Sequence, residues 1–200
     1  MSTTDDHGDW ADEIARQRRA RVEYLRDSHR SPLPPEMRGE SFPGLEYYEP
    51  DPAYRFVLPL HEHDEKERVT VETTADGEQT YRRWGEFHFE VDGETVTLQA
   101  YRPTGDADRF WVPFRDATSG DETYGAGRYL DLEPETHRQD DGWVLDFNAA
   151  YNPTCAYNYA YDCPLVPGDN WLEVPIEAGE KDFPAEPADP HGHADGGRDR

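Results

Sequence analysis

The stretch "TYRRWGEFHFEVDGETVTLQAYR", residues 80–102, decides the fold. Apolar side chains recur at every second position in both halves: Phe87, Phe89 and Val91 in the first, and Val96, Leu98 and Ala100 in the second. The halves meet at Asp92-Gly93, a pair typical of a two-residue β-hairpin turn. A period of two places these side chains on one face of the pair. The stretch therefore predicts an antiparallel hairpin with one face against a core.

Other segments on both sides of the hairpin show a similar strand-like pattern and are bounded by turn residues such as Asp76-Gly77. They are "YRFVLPLH" (54–61), "RVTVETT" (68–74), "RFWVPF" (109–114), "GRYLDLE" (127–133), "GWVLDFN" (142–148) and "WLEVPI" (171–176). Upstream, "DWADEIARQRRARVEYLRDS" predicts a helix from Asp9, with acids early and arginines late, as the helix dipole favours. We expect a mainly β protein: an antiparallel barrel-like or sandwich-like single domain with an N-terminal α-helix and long irregular loops.

Composition sets the limits of this domain. We expect a flexible N-terminus over residues 1–8, a single β-rich domain over 9–183 and a disordered acidic tail over 184–200, where proline, glycine and aspartate dominate. The segment from 31 to 55 carries six prolines and predicts irregular structure that lies against the body.

The chain is strongly acidic, with 44 acidic against 20 basic residues and a formal charge of −24. This charge argues against nucleic acid and anionic membranes as partners, and it makes "RQRRAR" (16–21) a solvated helix face rather than a binding patch. Five tryptophans, twelve tyrosines and eight phenylalanines argue against general disorder. With only two lysines and acids spread along the whole chain, the pattern is typical of a protein adapted to high salt.

The first residues, "MSTTDDHGDW", lack the basic and apolar regions of a secretory signal, and no apolar run is long enough to span a bilayer. We therefore expect a cytoplasmic protein, in which a permanent structural disulfide is less common.

One segment with functional character is "PFRDATSGDETYGAGRYL", residues 113–130. Glycines beside Ser119 let a backbone approach an anion, and two arginines, Arg115 and Arg128, could clamp a carboxylate or phosphate. The alternative is a glycine-rich connection in which Arg115 and Asp116 pair with neighbours and hold the turn. The segment matches no P-loop or dinucleotide fingerprint.

A second segment, "FNAAYNPTCAYNYAYDCPL" (147–165), contains the only two cysteines, Cys155 and Cys163. One widely spaced pair does not make a zinc motif, so a zinc-type site would need a further ligand from the histidines or aspartates, for example from "HEHDE" at 61–65. The alternatives are two buried apolar thiols in a loop tied by asparagines, which the pattern favours, and a redox pair, which ranks behind the metal site.

Both segments, together with "SPLPPEMRGESFPGLEYYEPDPAYRF" (31–56) and the following "VPGDNWLEVPIEAGEK" (166–181), resemble the uncharacterised family catalogued as domain of unknown function 1684. The resemblance extends over approximately Trp10 to Phe183. It implies a single small domain, which in some bacterial relatives follows a lipoprotein-type signal. It supplies no reaction and no catalytic residue.

The sequence thus leaves the enzyme status open and supports three hypotheses. The first is a site for a small anionic ligand where the two segments meet, held by Arg115 and Arg128. In this site Asp116 would orient an arginine or serve as a base, and the remaining lining would come from Ser119, Tyr124, Asn148, Tyr151 and Asn152. The second is a zinc-type module using Cys155 and Cys163. The third is a non-enzymatic structural or interaction domain.

Overall fold

A computed structural model describes residues 3–105 and 108–189. The hairpin predicted at 80–102 is its longest strand pair, and the chain turns there through Asp92 and Gly93 with φ of 52° and 82°. Consecutive left-handed residues match the twist of the two strands.

In chain order the elements are α1 (Thr3–Asp27), β1 (Arg55–Leu58), β2 (His61–Glu62), β3 (Arg68–Glu72), β4 (Glu78–Val91), β5 (Glu94–Pro103), β6 (Phe110–Phe114), β7 (Arg128–Leu132), α2 (Pro134–His137), β8 (Arg138–Gln139) and β9 (Gly142–Asp146).

The strands form two antiparallel sheets. In the larger sheet the order is β2-β4-β5-β6-β7, and β3 also pairs with β4, on the part of that strand which β2 leaves open. The smaller sheet has the order β1-β9-β8. The sheets do not close into a barrel, so the sandwich-like form of the prediction is the one that fits.

Residues from both sheets share one core. The alternating hairpin residues and β6, β7 and β9 supply its buried side chains, with Phe147 at the centre. The ring of Phe147 lies 5.1 Å from that of Phe114 and 5.5 Å from that of Phe89, measured between centroids. The opposite face of the larger sheet carries a second cluster around Tyr101 and Trp111, which the loop after β9 covers with Val166.

Helix α1 begins at Thr3 rather than at Asp9, so residues expected to be flexible start the helix instead. Ile14 and Leu25 are buried as predicted. The predicted solvated arginine face is wrong in part, because Arg18 and Arg21 point inward: Arg18 donates to the carbonyl oxygens of Tyr48 and Asn148.

The predicted strand at 171–176 is not a regular strand. Its backbone forms an isolated bridge between Trp171 and Arg115, and the Ala117 N–H donates to the Val174 carbonyl at 3.1 Å. Pro175 has no N–H for a strand ladder, and the next N–H, of Ile176, donates to the Asp116 side chain instead.

The C-terminal part of the domain extends past the predicted boundary at 183. Ala188 and Tyr157 are joined by a backbone hydrogen bond of 2.9 Å, and Ala188 also accepts from Tyr159. The rest of the predicted acidic tail, residues 190–200, lies outside the described residues.

Candidate functional site

Arg128, one of the two predicted ligand-binding arginines, is buried inside the protein. Its side chain on β7 is 0% exposed and pairs with Asp116 at 3.3 Å. The same guanidinium donates to the carbonyl oxygens of Ile176, Ala178 and Glu180. Burial lowers the pKa of Arg128, and the charge of Asp116 partly offsets this. Arg128 therefore holds the segment from 176 to 180 against β7 and has no surface to offer a ligand.

Asp116 is also committed to the protein interior. Its carboxylate accepts from the Ile176 N–H at 2.7 Å, from the Thr118 hydroxyl at 2.8 Å and from the Ser119 hydroxyl at 3.1 Å. Together with Arg128, these donors surround the carboxylate. The predicted roles of Asp116 as a base and of Ser119 as an anion contact do not fit this geometry; both residues hold the turn after β6.

Arg115 is the predicted site residue that stays at the surface. Its guanidinium lies 4.8 Å from the centroid of the Trp171 ring. Trp171 is 57% exposed, and its indole N–H donates to the Val166 carbonyl at 3.1 Å. Two backbone hydrogen bonds fix the pair, from Arg115 to the Asn170 carbonyl and from Leu172 to the Arg115 carbonyl. Within the described residues, no carboxylate is in ion-pair contact with Arg115.

The two predicted asparagines tie the loop down. Asn148 exchanges hydrogen bonds of 2.8 Å with the backbone of Asp51 and donates to Asp146 at 2.9 Å. Asn152 donates to the Lys181 carbonyl at 2.8 Å and to the Glu180 carboxylate at 3.2 Å. This is the loop-locking arrangement that the sequence suggested as the alternative to ligand contacts.

Glu180 is a buried charge that the sequence did not indicate. Its carboxylate accepts from Arg21 of α1 at 3.0 Å, and the hydroxyl of Tyr157 also donates to it. Arg21 in turn lies over the rings of Tyr151 and Tyr157, at 4.9 and 5.7 Å from their centroids. No local pattern marks this pair, because the partners are 159 positions apart.

The hydroxyls of Tyr151 and Tyr124 contact different partners. The Tyr151 hydroxyl donates to Asp131 on β7. The Tyr124 hydroxyl lies 3.6 Å from the sulfur of Cys155. A shallow concavity on α1, lined by Asp9, Asp12, Arg16 and Arg19, includes no residue of either segment.

The two cysteines are free, buried and in contact. Cys155 is 2% exposed and Cys163 is 7% exposed. The backbone N–H of Cys155 donates to the Cys163 sulfur at 3.3 Å. A hydrogen bond with the Cys163 thiol, helped by the hydroxyls of Tyr124 and Thr74, lowers the pKa of Cys155 to about 7 although burial opposes this. The same contact, together with burial, raises the pKa of Cys163.

The zinc hypothesis finds no third ligand. Among residues 3–105 and 108–189, no group of three or more His, Cys, Asp or Glu side chains is arranged to hold a metal ion. His61 instead stacks on His88 with ring centroids 4.8 Å apart, and His63 lies 2.8 Å from the side-chain oxygen of Gln99.

Comparison with known proteins identifies the family. The model for the proteins of unknown function designated DUF1684 matches residues 40–181. The chain belongs to this family. The sequence motifs indicated the same family. The matched range contains both segments and the network of Arg128, Asp116 and Glu180.

A solved structure extends the comparison beyond the residues that the family model matches. An uncharacterized protein of Haloarcula marismortui, determined by NMR in solution, is 39% identical and superposes with a TM-score of 0.68. The match covers 90% of this chain and 97% of the other. No curated protein matches the chain. No helix in the described part of the protein has the length and apolar character needed to cross a membrane.

Proposed function

We propose that this DUF1684 protein binds a small anionic molecule with a planar group, on the surface that Arg115 and Trp171 form. The observation that carries the proposal is an exposed tryptophan beside an arginine that no carboxylate of residues 3–105 or 108–189 neutralises. Arg128 and Asp116, which the sequence placed in the same site, belong to the interior and have no part in it.

The pair is fixed in advance, which favours binding. The indole N–H bond to Val166 and the backbone bonds of Arg115 to residues 170 and 172 hold both side chains at their bases. Asn170 is fixed in turn, because its side chain donates to Gln99 and Pro113 and accepts from the Gln99 N–H. Side chains ordered before binding lose less conformational entropy when a ligand arrives.

The chemistry of the pair selects the ligand class. A guanidinium binds a carboxylate or phosphate through two parallel hydrogen bonds and stacks well on aromatic rings. An aromatic carboxylate could place its acid group on Arg115 and its ring along the open part of Trp171. The net charge of −24 repels anions, so we expect binding to depend on salt that screens this field.

A titration with benzoate tests the proposal, with acetate as the probe that lacks a ring. We expect benzoate to shift the NMR signal of the Trp171 indole N–H and acetate to do so much more weakly. Arg115→Ala should weaken the benzoate response roughly tenfold or more. Arg68→Ala, which removes an exposed arginine from β3, is the matched control. Equal benzoate binding by Arg115→Ala and the unaltered protein would contradict the site.

A non-enzymatic structural domain is the second candidate function. It is favoured by the buried pair of Asp116 and Arg128, which gives the glycine-rich segment a role in holding the fold. This hypothesis predicts that benzoate leaves the Trp171 signal unchanged at every salt concentration, in the unaltered protein and in Arg115→Ala alike.

We also propose that the protein works in the cytoplasm of a salt-accumulating cell. The proposal is supported by the acidic composition, the scarcity of lysine and a similar protein from the halophile Haloarcula marismortui. Fractionation of cells that express the natural protein, with detection by a specific antibody, tests the location; recovery in the membrane or external fraction would contradict it.

A further inference from the structure

Two separately anchored segments bring the thiols together. Cys155 lies in a short 3-10 turn, Thr154–Ala156. Cys163 lies on a segment that is bonded to the turn between β3 and β4: its N–H donates to the Thr74 hydroxyl at 3.1 Å, and its carbonyl accepts from the Thr74 N–H at 3.0 Å. Asp162 adds bonds of 2.8 Å to Thr73 and Ala75. The contact between the Cys155 N–H and the Cys163 sulfur, at 3.3 Å, is therefore fixed from both sides.

The environment distinguishes the two sulfurs. Cys155 lies beside Cys163 and the Tyr124 hydroxyl, and these neighbours lower its pKa to about 7 although burial opposes this. The contact with Cys155, together with burial, raises the pKa of the Cys163 thiol. The facing tyrosines, Tyr124 and Tyr129, stay neutral because burial raises the pKa of each hydroxyl.

We propose that Cys155 and Cys163 form a reversible dithiol–disulfide pair that a hydroperoxide oxidises, with Cys155 as the attacking thiol. The Cys155 thiolate attacks one peroxide oxygen, the O–O bond breaks and hydroxide leaves, which gives a sulfenic acid at Cys155. The Cys163 sulfur then attacks the Cys155 sulfur, an S–S bond forms, and the sulfenic oxygen leaves as water with the Cys163 proton. The peroxide is reduced by two electrons and the two thiols are oxidised to one disulfide.

An exposed stretch of chain connects the two cysteines. Both cysteines are buried, but Ala160, Tyr161 and Asp162, which lie between them in the chain, are exposed. In the reduced protein the Tyr124 hydroxyl contacts the Cys155 thiolate, and after oxidation it contacts a neutral disulfide. The redox state is therefore linked to the glycine-rich segment that carries Tyr124.

The test measures both thiols in the reduced full-length chain. The protein is exposed to hydrogen peroxide in its folded state and the peroxide is removed with catalase. The chain is then unfolded in urea, and the remaining thiols are alkylated with N-ethylmaleimide for mass spectrometry. We expect an intramolecular disulfide: a loss of two hydrogens, no alkylation at either cysteine and full recovery after dithiothreitol. If both thiols remain alkylatable after a peroxide dose that oxidises the urea-unfolded chain, the proposal is wrong. Disulfides between chains on a non-reducing gel would contradict it as well.

Two single variants test the roles of the sulfurs. Cys163→Ser removes the second step, so dimedone should trap a sulfenic acid at Cys155. Cys155→Ser should leave Cys163 oxidised roughly tenfold more slowly, because a thiol that keeps its proton is a poor nucleophile. Equal rates at the two cysteines would overturn the assignment of Cys155 as the attacking thiol.

A third variant separates reactivity from packing. Tyr124→Phe keeps the ring and removes the hydroxyl beside Cys155. In the unaltered protein, the rate of Cys155 alkylation by iodoacetamide should rise with pH around a midpoint of about 7. Tyr124→Phe should move this midpoint upward while the melting temperature changes little. An unchanged midpoint would show that Tyr124 does not stabilise the thiolate.

Discussion

At the scale of single residues, two of the charged side chains that suggested a ligand site hold the fold instead. Arg128 and Asp116 are both buried and satisfy each other and the backbone around them. Buried pairs of this kind contribute little net stability, but the loss of one partner leaves the other charge desolvated and unpaired. The decrease in the free energy of unfolding when either residue is replaced therefore reveals its role.

The first prediction concerns Arg128→Ala. We expect it to lower the free energy of unfolding by about 3–5 kcal/mol, because the Asp116 carboxylate then stays buried without its counter-charge. Urea denaturation monitored by tryptophan fluorescence measures the change. Arg68→Ala, at an exposed position, should stay within about 0.5 kcal/mol of the unaltered protein. A small effect of Arg128→Ala would show that water reaches Asp116.

The second prediction concerns the pH dependence of stability in the reduced protein. The pKa of Cys155 is about 7 in the folded chain, below the value of about 8.5 expected after unfolding. Between these values the unfolded chain binds more protons, so stability rises with pH, by about 1–2 kcal/mol. Urea denaturation with a phosphine reductant measures this rise, and Cys155→Ser should lack it. A decrease over the same range would contradict the lowered pKa of Cys155.

At the scale of elements, β4 has an unusual edge. β2 and β3 pair with different parts of the same side of this strand. On its other side, the register with β5 shifts between Arg83 and Gly85. The backbone of β2 lies so close to Gly85 that a Cβ there would be 2.6 Å from the His61 carbonyl oxygen. The glycine is what allows β2 to pair at this point.

The third prediction is that Gly85→Ala displaces β2 and leaves the hairpin of β4 and β5 intact. We expect a loss of about 1–3 kcal/mol, typical of inserting a methyl group into a packed site. Hydrogen exchange should become faster at the His63 amide, which bonds to the Trp84 carbonyl, and remain slow at Phe87. Gly168→Ala is the control, since a Cβ there meets nothing within 4 Å. Unchanged protection of His63 would contradict the prediction.

The elements also show what the sequence could predict. Local patterns were sufficient for the hairpin, because its alternation and its Asp92-Gly93 turn are encoded within one short stretch. The same patterns failed at 171–176. There the alternation arises because an irregular segment buries Val174 and Ile176 in the core, and Pro175 prevents a regular strand. Local patterns also predict the helix, but they place Arg21 in solvent. Local periodicity carries no information about a partner as distant in sequence as Glu180.

The same limit applies to the candidate site. Sequence composition located the segments that later matched the family model, and it suggested that the asparagines tie the loop. It did not separate Arg115 from Arg128, because an exposed and a buried arginine look alike in a glycine-rich stretch. Only the three-dimensional fold shows that one arginine stacks on Trp171 and the other lies beneath the chain at 176–180.

At the scale of the whole molecule, the net charge of −24 opposes the compact state through self-repulsion. The fourth prediction is that the melting temperature rises with KCl concentration, because salt screens this repulsion. Differential scanning fluorimetry across a KCl series measures the effect, with sucrose as a control that stabilises without screening. A melting temperature that is highest at low salt would contradict the interpretation of the acidic surface.

The Arg21 and Glu180 contact joins the first helix to the last part of the domain. A ribosome releases the chain from its N-terminus, so Arg21 emerges long before its carboxylate partner has been synthesised. Until then α1 lacks the charge that neutralises its buried arginine, and the loop at 147–165 lacks the Glu180 side chain that Asn152 and Tyr157 bind. The domain can therefore complete this part of its interior only after Glu180 has been synthesised.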